Sequence, residues 1–433
     1  MLDVNLLRTN SEELKKKLAT KNVDPKMVDD FLGLDTKWRE AVKATEALRA
    51  QLNKLSKERK IDEAKVVKEK LKASEQSYPE LEKQRLAALK ALPNPPLPDV
   101  PVGDESKSVV LREVGDKPKF DFPVKNYIEI GQSLDIIDTE RAGKVSGSRF
   151  GYLKGAGALL EFGLIQLVVD FVTNEKNIAK IIKEQKLSIK PSAFVPVIPP
   201  VLIKPESMQA MGYVERGGDE IYFLEKDQLY LVGTSEQSIG PMHMNETLDK
   251  EALPVRYLGF STCFRREAGS YGKDTKGILR VHQFDKLEMF TICLPENSGE
   301  EHKLLLAIEE KLMQMLELPY HVLHIATGDL GDPAAAKYDI EAWLPGQREG
   351  AGEYRETHST SNTTDYQARR LNIRIKNQES GIKNEYAHML NGTAFAIGRI
   401  IIAILENYQT KTGSVKVPKA LRDYLHLKEI GVK

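Results

Sequence analysis

Apolar side chains, with one threonine among them, recur at alternating intervals of three and four residues between positions 31 and 55. The stripe consists of Phe31, Leu34, Trp38, Ala41, Thr45, Leu48, Leu52 and Leu55. The positions between them are mostly Lys, Arg, Glu, Ala and Gln. Because heptad spacing places apolar residues along one seam of a helix, the pattern predicts a helix that pairs with another helix.

A second helical pattern follows an interruption at residues 60–62. Its apolar positions are Val67, Leu71, Tyr78, Leu81 and Leu89. Two stretches of similar length with a short break between them predict an antiparallel hairpin, with arms of about 45 Å each at the rise of an α-helix. Proline removes a helical hydrogen bond, so Pro79 predicts a kink or a break in the second arm.

The hairpin pattern stops at residues 91–101, which contain five prolines in eleven positions. Such a segment favours extended chain and predicts a domain boundary. We therefore expect one domain over residues 1–105 and another over residues 106–433.

The second domain alternates irregularly between strand and helix patterns. Residues 256–267 and 278–293 are typical of strands and are joined by a loop with three glycines. Residues 371–376 alternate apolar and polar side chains, which also favours a strand. An apolar helix is predicted from Asn391 to Glu406. The mixture predicts an α+β domain built on a largely antiparallel sheet.

The two long strand patterns place charged and aromatic side chains on one predicted face. Alternation puts Arg265 and Glu267 on the same side of the first strand. The second strand contributes Arg280, His282, Phe284, Lys286 and Glu288. This face is compatible either with a binding surface or with a solvated outer face of ion pairs.

Arg399 is the one charged residue within the predicted apolar helix over residues 393–405. A helix that is apolar all round is typically buried, and a buried guanidinium needs an anion. A phosphate and a core carboxylate are both suitable partners. If the partner is a phosphate, Arg265 and Arg399 could hold a polyphosphate between them.

Composition narrows the class of protein. The chain has 433 residues, of which 41% are apolar and 29% charged, and its formal net charge is zero. Residues 11–90 nevertheless carry 20 Lys and Arg against 15 Asp and Glu, a local charge of +5. Two cysteines without a CxxC pair argue against a zinc site or a disulfide framework. No apolar run is long enough to span a membrane, and we expect a cytoplasmic protein.

Several ordered motifs resemble the class II aminoacyl-tRNA synthetases, in their seryl-tRNA synthetase form. CFRREAGSYGKDTKGILRVHQFDKLE resembles motif 2, NGTAFAIGRIIIAILENYQ resembles motif 3, and SAFVPVIPPVL is similar to motif 1. The resemblance continues through YLVGTSEQSIG, ATGDLGDPAAAKYDIEAWLPGQ and YRETHSTSNTTDYQARRLNIR. It implies a class II synthetase-type antiparallel sheet with flanking helices, preceded by an antiparallel coiled coil that binds tRNA, and a homodimer.

The resemblance also implies an activity. L-serine and ATP would give seryl-adenylate and pyrophosphate, and the seryl group would pass to the 3′ end of tRNA(Ser), with tRNA(Sec) left open as a further substrate. Arg265 and Arg399 are the implied catalytic residues. The implied ATP-binding set is Arg265, Arg266, Glu267, Arg280, Val281, Phe284, Glu356, Thr357, His358, Ser359 and Arg399. The implied serine-binding set is Thr234, Ser235, Glu236, Arg265, Glu288, Asn391 and Thr393.

Two further sets complete these expectations. Glu356 and Ser359 match the family's positions for the catalytic Mg²⁺. Lysines along one face of the arm would meet tRNA phosphates, and the candidates nearest the turn are Lys54, Lys57, Arg59 and Lys60.

The sequence departs from the family pattern in places. Arg266 stands where serine is usual, and strand alternation predicts that it points away from ATP. Residues 348–352 are an insertion that predicts an enlarged loop at the mouth of the site, and His358 and Thr360 replace the common Ser and Cys. Two other functions stay open: a synthetase-like paralogue that loads an amino acid onto a carrier protein, and a non-catalytic RNA-binding coiled-coil protein.

Overall fold

The computed structural model describes residues 1–268, 274, 276–376 and 385–431, apart from the side chains of residues 77, 216 and 217. The chain divides into two compact units, Met1–Pro96 and Leu97–Lys433. This division falls within the proline-rich segment, nine residues before the domain boundary expected at residue 105.

The first unit is helical. Two short helices, α1 (Val4–Thr9) and α2 (Ser11–Ala19), precede the long helices α3 (Lys26–Lys57) and α4 (Ile61–Lys90). The predicted heptad seam is confirmed, since Phe31, Thr45 and Leu55 are buried. In the middle of the hairpin the Thr45 and Ser74 hydroxyl groups lie 2.7 Å apart.

The predicted break at Pro79 is wrong, because α4 continues through this residue. A proline inside a helix forfeits one hydrogen bond and crowds the preceding turn. Packing against α3 offsets that loss here: the Tyr78 ring lies 6.2 Å from that of Trp38 on the facing helix.

A buried carboxylate fastens the base of the hairpin. Asp35 of α3 is 0% exposed. It accepts hydrogen bonds from Arg8 of α1 at 2.8 and 2.9 Å and from Arg85 of α4 at 2.7 Å. Burial alone would raise the pKa of Asp35, but Arg8 and Arg85 outweigh it and hold the pKa below its usual value.

The second unit is built on a sheet of eight strands within the described residues. The strands are β1 (Val109–Val114), β2 (Val195–Val197), β3 (Val255–Phe264), β4 (Gln283–Cys293), β5 (Tyr320–His324), β6 (Ala336–Leu344), β7 (Glu353–Asn362) and β8 (His388–Ala396). Their order across the sheet is β1-β5-β6-β7-β8-β4-β3-β2. Only the β2–β3 pair is parallel among these strands, so the predicted antiparallel sheet is confirmed.

Helices flank this sheet. They are α5 (Tyr127–Ser133), α6 (Thr139–Ser146), α7 (Ala156–Val172), α8 (Glu175–Glu184), α9 (Pro205–Met211), α10 (Val214–Gly217), α11 (Glu236–Ile239), α12 (Ser298–Met315), α13 (Tyr366–Leu371), α14 (Ile397–Asn407) and α15 (Arg422–Leu425). The main core lies between one sheet face and α7, α12 and α14. The opposite face carries a smaller core around Phe290 and Ile292 and, beside it, the pocket.

Smaller strand pairings complete the unit. Leu202–Ile203, Leu229–Leu231 and Phe223–Leu224 form one small sheet, and Thr247–Leu248, Arg374–Ile375 and Glu385–Tyr386 form another. Two-stranded pairs join Ile137–Asp138 with Tyr152–Leu153 and Val415–Lys416 with Glu429–Ile430. The strand predicted over 371–376 is therefore reduced to Arg374–Ile375, because Leu371 closes α13.

The two cysteines are buried and unpaired. Cys263 lies on β3 and Cys293 at the end of β4, and burial raises the pKa of both thiols.

Within the described residues no single helix is long and apolar enough to span a membrane, although α7 and α8 together would be, across a bend of 71°.

Candidate active site

One open pocket of ≈ 680 Å³ lies over the front of the sheet. Strand alternation supplies its floor, because Phe284, Lys286 and Glu288 point to the same side of β4. The face predicted from alternation is therefore correct for these three residues. The strand assignment is wrong for Arg265, Glu267 and Arg280, because β3 ends at Phe264 and β4 begins only at Gln283.

Those three residues reach the pocket from the connection between the strands. They line it all the same. Glu267 has a φ of +53°, a left-handed conformation that turns the chain away from the strand direction. Part of this connection, residues 269–273 and 275, lies outside the described residues. The alternating pattern in the sequence thus identified side chains that do line the pocket, but it wrongly predicted that the backbone carrying them is extended strand.

Most of the predicted site residues line this pocket together. They are Thr234, Glu236, Arg265, Glu267, Arg280, Val281, Phe284, Glu288, Glu356, Thr357, Ser359, Asn391, Thr393 and Arg399. They come from β4, β7, β8, α11, α14 and the connections between elements, although they are spread over 166 positions of sequence (234 to 399).

A buried acidic group forms one part of the pocket. Glu236 and Glu288 are only 2% and 1% exposed. The Thr234 hydroxyl donates to Glu288 at 3.2 Å, Lys286 forms an ion pair with Glu288, and the Tyr213 hydroxyl donates to Glu236. Burial, and then repulsion from Glu288, raise the pKa of Glu236 to about 7. Two carboxylates this close favour a cation between them.

Arginines form another part. Arg265 donates to the Gly233 carbonyl at 3.3 Å, and its guanidinium lies 5.4 Å from the centroid of the Phe284 ring. Arg280 donates to Asp274 at 3.1 Å and lies 3.8 Å from Glu267. These planar cations beside an aromatic ring suit a ligand with phosphates and a flat base.

Arg399 departs from its prediction. The apolar helix begins at Ile397 rather than near Thr393, because residues 388–396 form β8. Arg399 is then in the first turn of α14, 24% exposed and facing the pocket rather than the core. It donates to the Glu356 carbonyl at 2.8 Å and lies 3.4 Å from the Glu356 carboxylate.

The Glu356 side chain is 48% exposed, in contrast to the buried Glu236 and Glu288. Enclosure by the pocket walls would raise its pKa, but Arg399, Lys337 and Arg265 outweigh that and lower it. Ser359 lies on the same strand and also lines the pocket. No cluster of three or more His, Cys, Asp or Glu able to hold a metal occurs within the described residues.

Three predicted residues lie outside the pocket lining. Arg266 stacks over Tyr222 at 5.5 Å. Ser235 is 0% exposed, with its hydroxyl 3.5 Å from the Gly259 carbonyl. His358 is buried on the far side of β7, 2.8 Å from the Thr357 hydroxyl, and burial lowers its pKa to about 3. The direction predicted for Arg266 agrees with this placement.

The pocket also contains residues that the sequence interpretation did not select. Tyr213 arrives from a loop after α9, and no local pattern marks it. Lys337 of β6 lines the pocket and lies 3.5 Å from Asp339 and 3.4 Å from Asp329. The sequence did offer a signal for Lys337: it is two positions from Asp339, so both side chains lie on the same face of a strand.

The loop at 348–352 includes a short 3₁₀ turn, Arg348–Gly350.

Comparisons with known proteins identify the family of the chain. The model of the class II tRNA synthetase core domain (G, H, P, S and T) matches residues 222–408, and that of the seryl-tRNA synthetase N-terminal domain matches residues 1–96. The serine–tRNA ligase of Acidothermus cellulolyticus is 46% identical over 98% of both chains. The chain belongs to the seryl-tRNA synthetase family.

Solved seryl-tRNA synthetases share the fold. The enzyme from Pyrococcus horikoshii, in a crystal structure complexed with ATP, has a TM-score of 0.89 at 39% identity and covers 100% of both chains. The cytoplasmic serine–tRNA ligase of Naegleria fowleri, in complex with AMP, has a TM-score of 0.87 at 33% identity, covering 100% of this chain and 99% of its own. An ATP-dependent serine–tRNA ligase activity follows from membership of this family.

Proposed function

We propose that this pocket joins serine to AMP and then passes the seryl group to the 3′-terminal ribose of tRNA(Ser). The observation that supports this assignment most strongly is the meeting of Arg265, Arg280 and Arg399 with the buried pair Glu236 and Glu288 in one pocket. Arginines suit a triphosphate, and paired carboxylates suit an α-ammonium.

ATP would be held by the arginine side of the pocket. Arg265 would contact the α-phosphate, Arg280 the terminal phosphates, and Arg399 the other side of the triphosphate. The Phe284 ring, already beneath the Arg265 guanidinium, would stack on the adenine, and Glu267 would accept from the adenine amino group. Val281 and Thr357 line the same space.

Serine would occupy the acidic side. Glu236 and Glu288 would take the ammonium, while Thr393 and Asn391 of β8 would close around the side chain with Thr234. A site built to hydrogen-bond a hydroxyl rejects alanine by about 10⁴-fold, because its polar groups would lose their partners.

The donor set at Glu356 and Ser359 fits Mg²⁺. Both supply oxygen, Glu356 is anionic because nearby cations lower its pKa, and both line the pocket. Mg²⁺ commonly takes one or two protein oxygens and completes its shell with water and substrate phosphates. When bound, it would neutralise charge on the phosphates of ATP.

The chemistry requires no protein nucleophile. A serine carboxylate oxygen attacks the α-phosphorus, an O–P bond forms, and the bond to the β-phosphate oxygen breaks to release pyrophosphate. The protein's contribution is alignment of the two reactants and neutralisation of charge on the phosphates. In the second step a ribose hydroxyl attacks the carbonyl carbon, AMP leaves, and the hydroxyl proton goes to a phosphate oxygen of AMP.

The helical hairpin is the proposed tRNA-binding element. Lys54, Lys57, Arg59 and Lys60 are all exposed at and beside the turn between α3 and α4. Their charge suits phosphates rather than bases, and RNA helices are bound mainly through shape and backbone.

A homodimer is supported by apolar surface near the motif 1 segment. Val195 of the edge strand β2 is 56% exposed, and Ile198, three positions further on, is 85% exposed. Exposed large apolar side chains in one part of a chain commonly mark an interface.

A cytoplasmic location stays a prediction of the sequence.

The test of the proposed function is ATP–pyrophosphate exchange measured with serine, threonine, alanine and glycine in turn. We expect exchange with serine at least about 10²-fold above each of the others. Exchange that depends on a different amino acid would favour the carrier-loading paralogue, and no exchange with any amino acid would favour the non-catalytic RNA-binding protein.

Serine affinity should fall in acid. The ammonium of serine requires the carboxylate form of Glu236, whose pKa is raised to about 7. Below that pH a proton must leave for serine to bind, so the KM for serine should rise by up to about tenfold per pH unit. Exchange kinetics from pH 6 to 8.5 measure this, and calorimetry in two buffers at pH 6 should record release of close to one proton. A flat profile in the wild type, or the same profile in Glu236→Gln, would contradict the assignment.

A further inference from the structure

A carboxyl group lies deep in the core behind the amino-acid side of the pocket. Glu309 of α12 is 0% exposed, and neither of its carboxyl oxygens has a hydrogen-bond partner within the described part of the chain. Its neighbours along the helix, Leu305, Ile308 and Leu312, are also 0% exposed and apolar. An unpartnered buried carboxyl group is costly to folding compared with leucine or methionine, and such costs concentrate where function needs them.

Glu309 faces one particular backbone position. α12 packs behind β8, and a Cβ atom built on Gly392 would lie 3.0 Å from Glu309 Oε1 and 3.2 Å from the Thr360 hydroxyl oxygen. The bare α-carbon of Gly392 therefore makes the room that the Glu309 carboxyl group occupies. Side chains alternate along a strand, so the residues on either side of Gly392 point the other way, into the pocket.

Those neighbours are Asn391 and Thr393, which both line the pocket. The Thr360 hydroxyl, beside the Glu309 carboxyl group, donates to the Asn391 carbonyl at 2.9 Å. One side of β8, with Asn391 and Thr393, thus forms the wall of the proposed serine pocket, while the other side packs on Glu309 and Thr360. If β8 moved away from the substrate, Gly392 would collide with the Glu309 carboxyl group.

We propose that Glu309 is a specificity-determining positioning residue, which backs β8 at Gly392 and so fixes the depth of the amino-acid pocket against threonine. The proposal rests on the proposed function. Threonine is serine with one added methyl group, and it keeps the hydroxyl that the site binds. Hydrogen bonding therefore cannot exclude it, and only a wall that does not yield can do so.

Glu309 fulfils this role as a neutral group. Burial, and then repulsion from Glu288 and Asp339, raise the pKa of Glu309 well above its usual value. The raised pKa favours the neutral carboxyl form, which fills space without adding a charge behind Glu288. Glutamine has nearly the same shape and no charge, so it should support Gly392 in the same way as the neutral carboxyl group.

The experiment compares kcat/KM for serine with kcat/KM for threonine in pyrophosphate exchange by the full-length protein. Truncation in Glu309→Ala leaves a void behind Gly392, so the serine-to-threonine ratio should fall by about tenfold, the order of discrimination that one methyl group supplies. Glu309→Gln should keep the ratio within about twofold. In Glu309→Ala the added methyl of Gly392→Ala should fill the void and recover most of the ratio.

The matched control is Ile308→Ala, which truncates a fully buried side chain on the same helix pointing about 100° away. It should lower thermal stability without changing the ratio. The proposal is overturned if Glu309→Ala keeps the wild-type ratio, if Ile308→Ala lowers it equally, or if Glu309→Gln loses as much as Glu309→Ala. If Glu309→Ala does not fold, Glu309→Asp withdraws the carboxyl group by one methylene and carries the same expectation. Absence of serine-dependent exchange in the wild type would instead refute the proposed function.

Discussion

Replacing Arg265 or Arg399 by alanine is expected to reduce serine-dependent ATP–pyrophosphate exchange by about 10³-fold. Each guanidinium would stabilise charge on the phosphates where the bond to the α-phosphorus forms and breaks, and removal of one such donor typically costs 10²–10³ in rate. The loss should fall mainly on kcat, because the charge is most concentrated in the transition state. Initial rates at saturating ATP and serine separate kcat from KM.

The matched control for both variants is Arg141→Ala. The side chain of Arg141, on α6, is 70% exposed and pairs with Asp138, the residue before that helix, outside the pocket lining. It should leave exchange within about twofold of the wild type. Normal exchange in both Arg265→Ala and Arg399→Ala would defeat the site assignment, whereas loss in all three variants would point to a general effect on folding.

Removal of residues 30–90 is expected to abolish tRNA charging while adenylate formation continues. The described residues that line the pocket run from 213 to 399, all within the compact unit Leu97–Lys433, whereas the proposed tRNA-binding residues lie on the deleted helices. Charging should fall by at least about 10²-fold, and pyrophosphate exchange should stay within about fivefold. Aminoacylation with radiolabelled serine and exchange assays on the same preparation provide the comparison.

A variant with four substitutions tests the same surface without removing the helices, so that misfolding caused by the deletion is not mistaken for a loss of tRNA binding. Substitution of Lys54, Lys57, Arg59 and Lys60 by alanine should weaken tRNA binding and flatten its dependence on salt, by a slope of about 0.7–0.9 for each phosphate that the protein no longer neutralises. The same positions changed to arginine or lysine keep the charge and should retain binding. An unchanged salt slope in the alanine variant would exclude this cluster from the tRNA interface.

The sequence predicted long-range architecture well where periodicity was strong. The heptad stripe located the hairpin, because residues such as Phe31 and Leu55 repeat at the spacing that a helix seam requires. It did not predict the Asp35 ion cluster, whose partners Arg8 and Arg85 are 27 and 50 residues away. Nor did it predict helix continuity at Pro79, where packing across the hairpin overrides local propensity.

Side chains were predicted better than the backbone that carries them. Period-two alternation in motif 2 extended both strands too far, because charged residues in the connection happened to continue the pattern. Thr393 was assigned to a helix, since an apolar run does not distinguish a buried strand from a buried helix. Tyr213 and Glu309 reach the site region only through tertiary packing, and no sequence window contains that information.

Because both native thiols are buried, the folded chain should react slowly with sulfhydryl reagents. Cys263 and Cys293 are 0% and 1% exposed, and the thiolate is the form that reacts. A single cysteine introduced at the exposed arm position Ser56, beside the proposed tRNA contacts, would therefore be the one accessible labelling site, with neither native cysteine mutated. A fluorophore attached there would report arrival of RNA at the hairpin tip in real time, independently of the chemistry in the pocket.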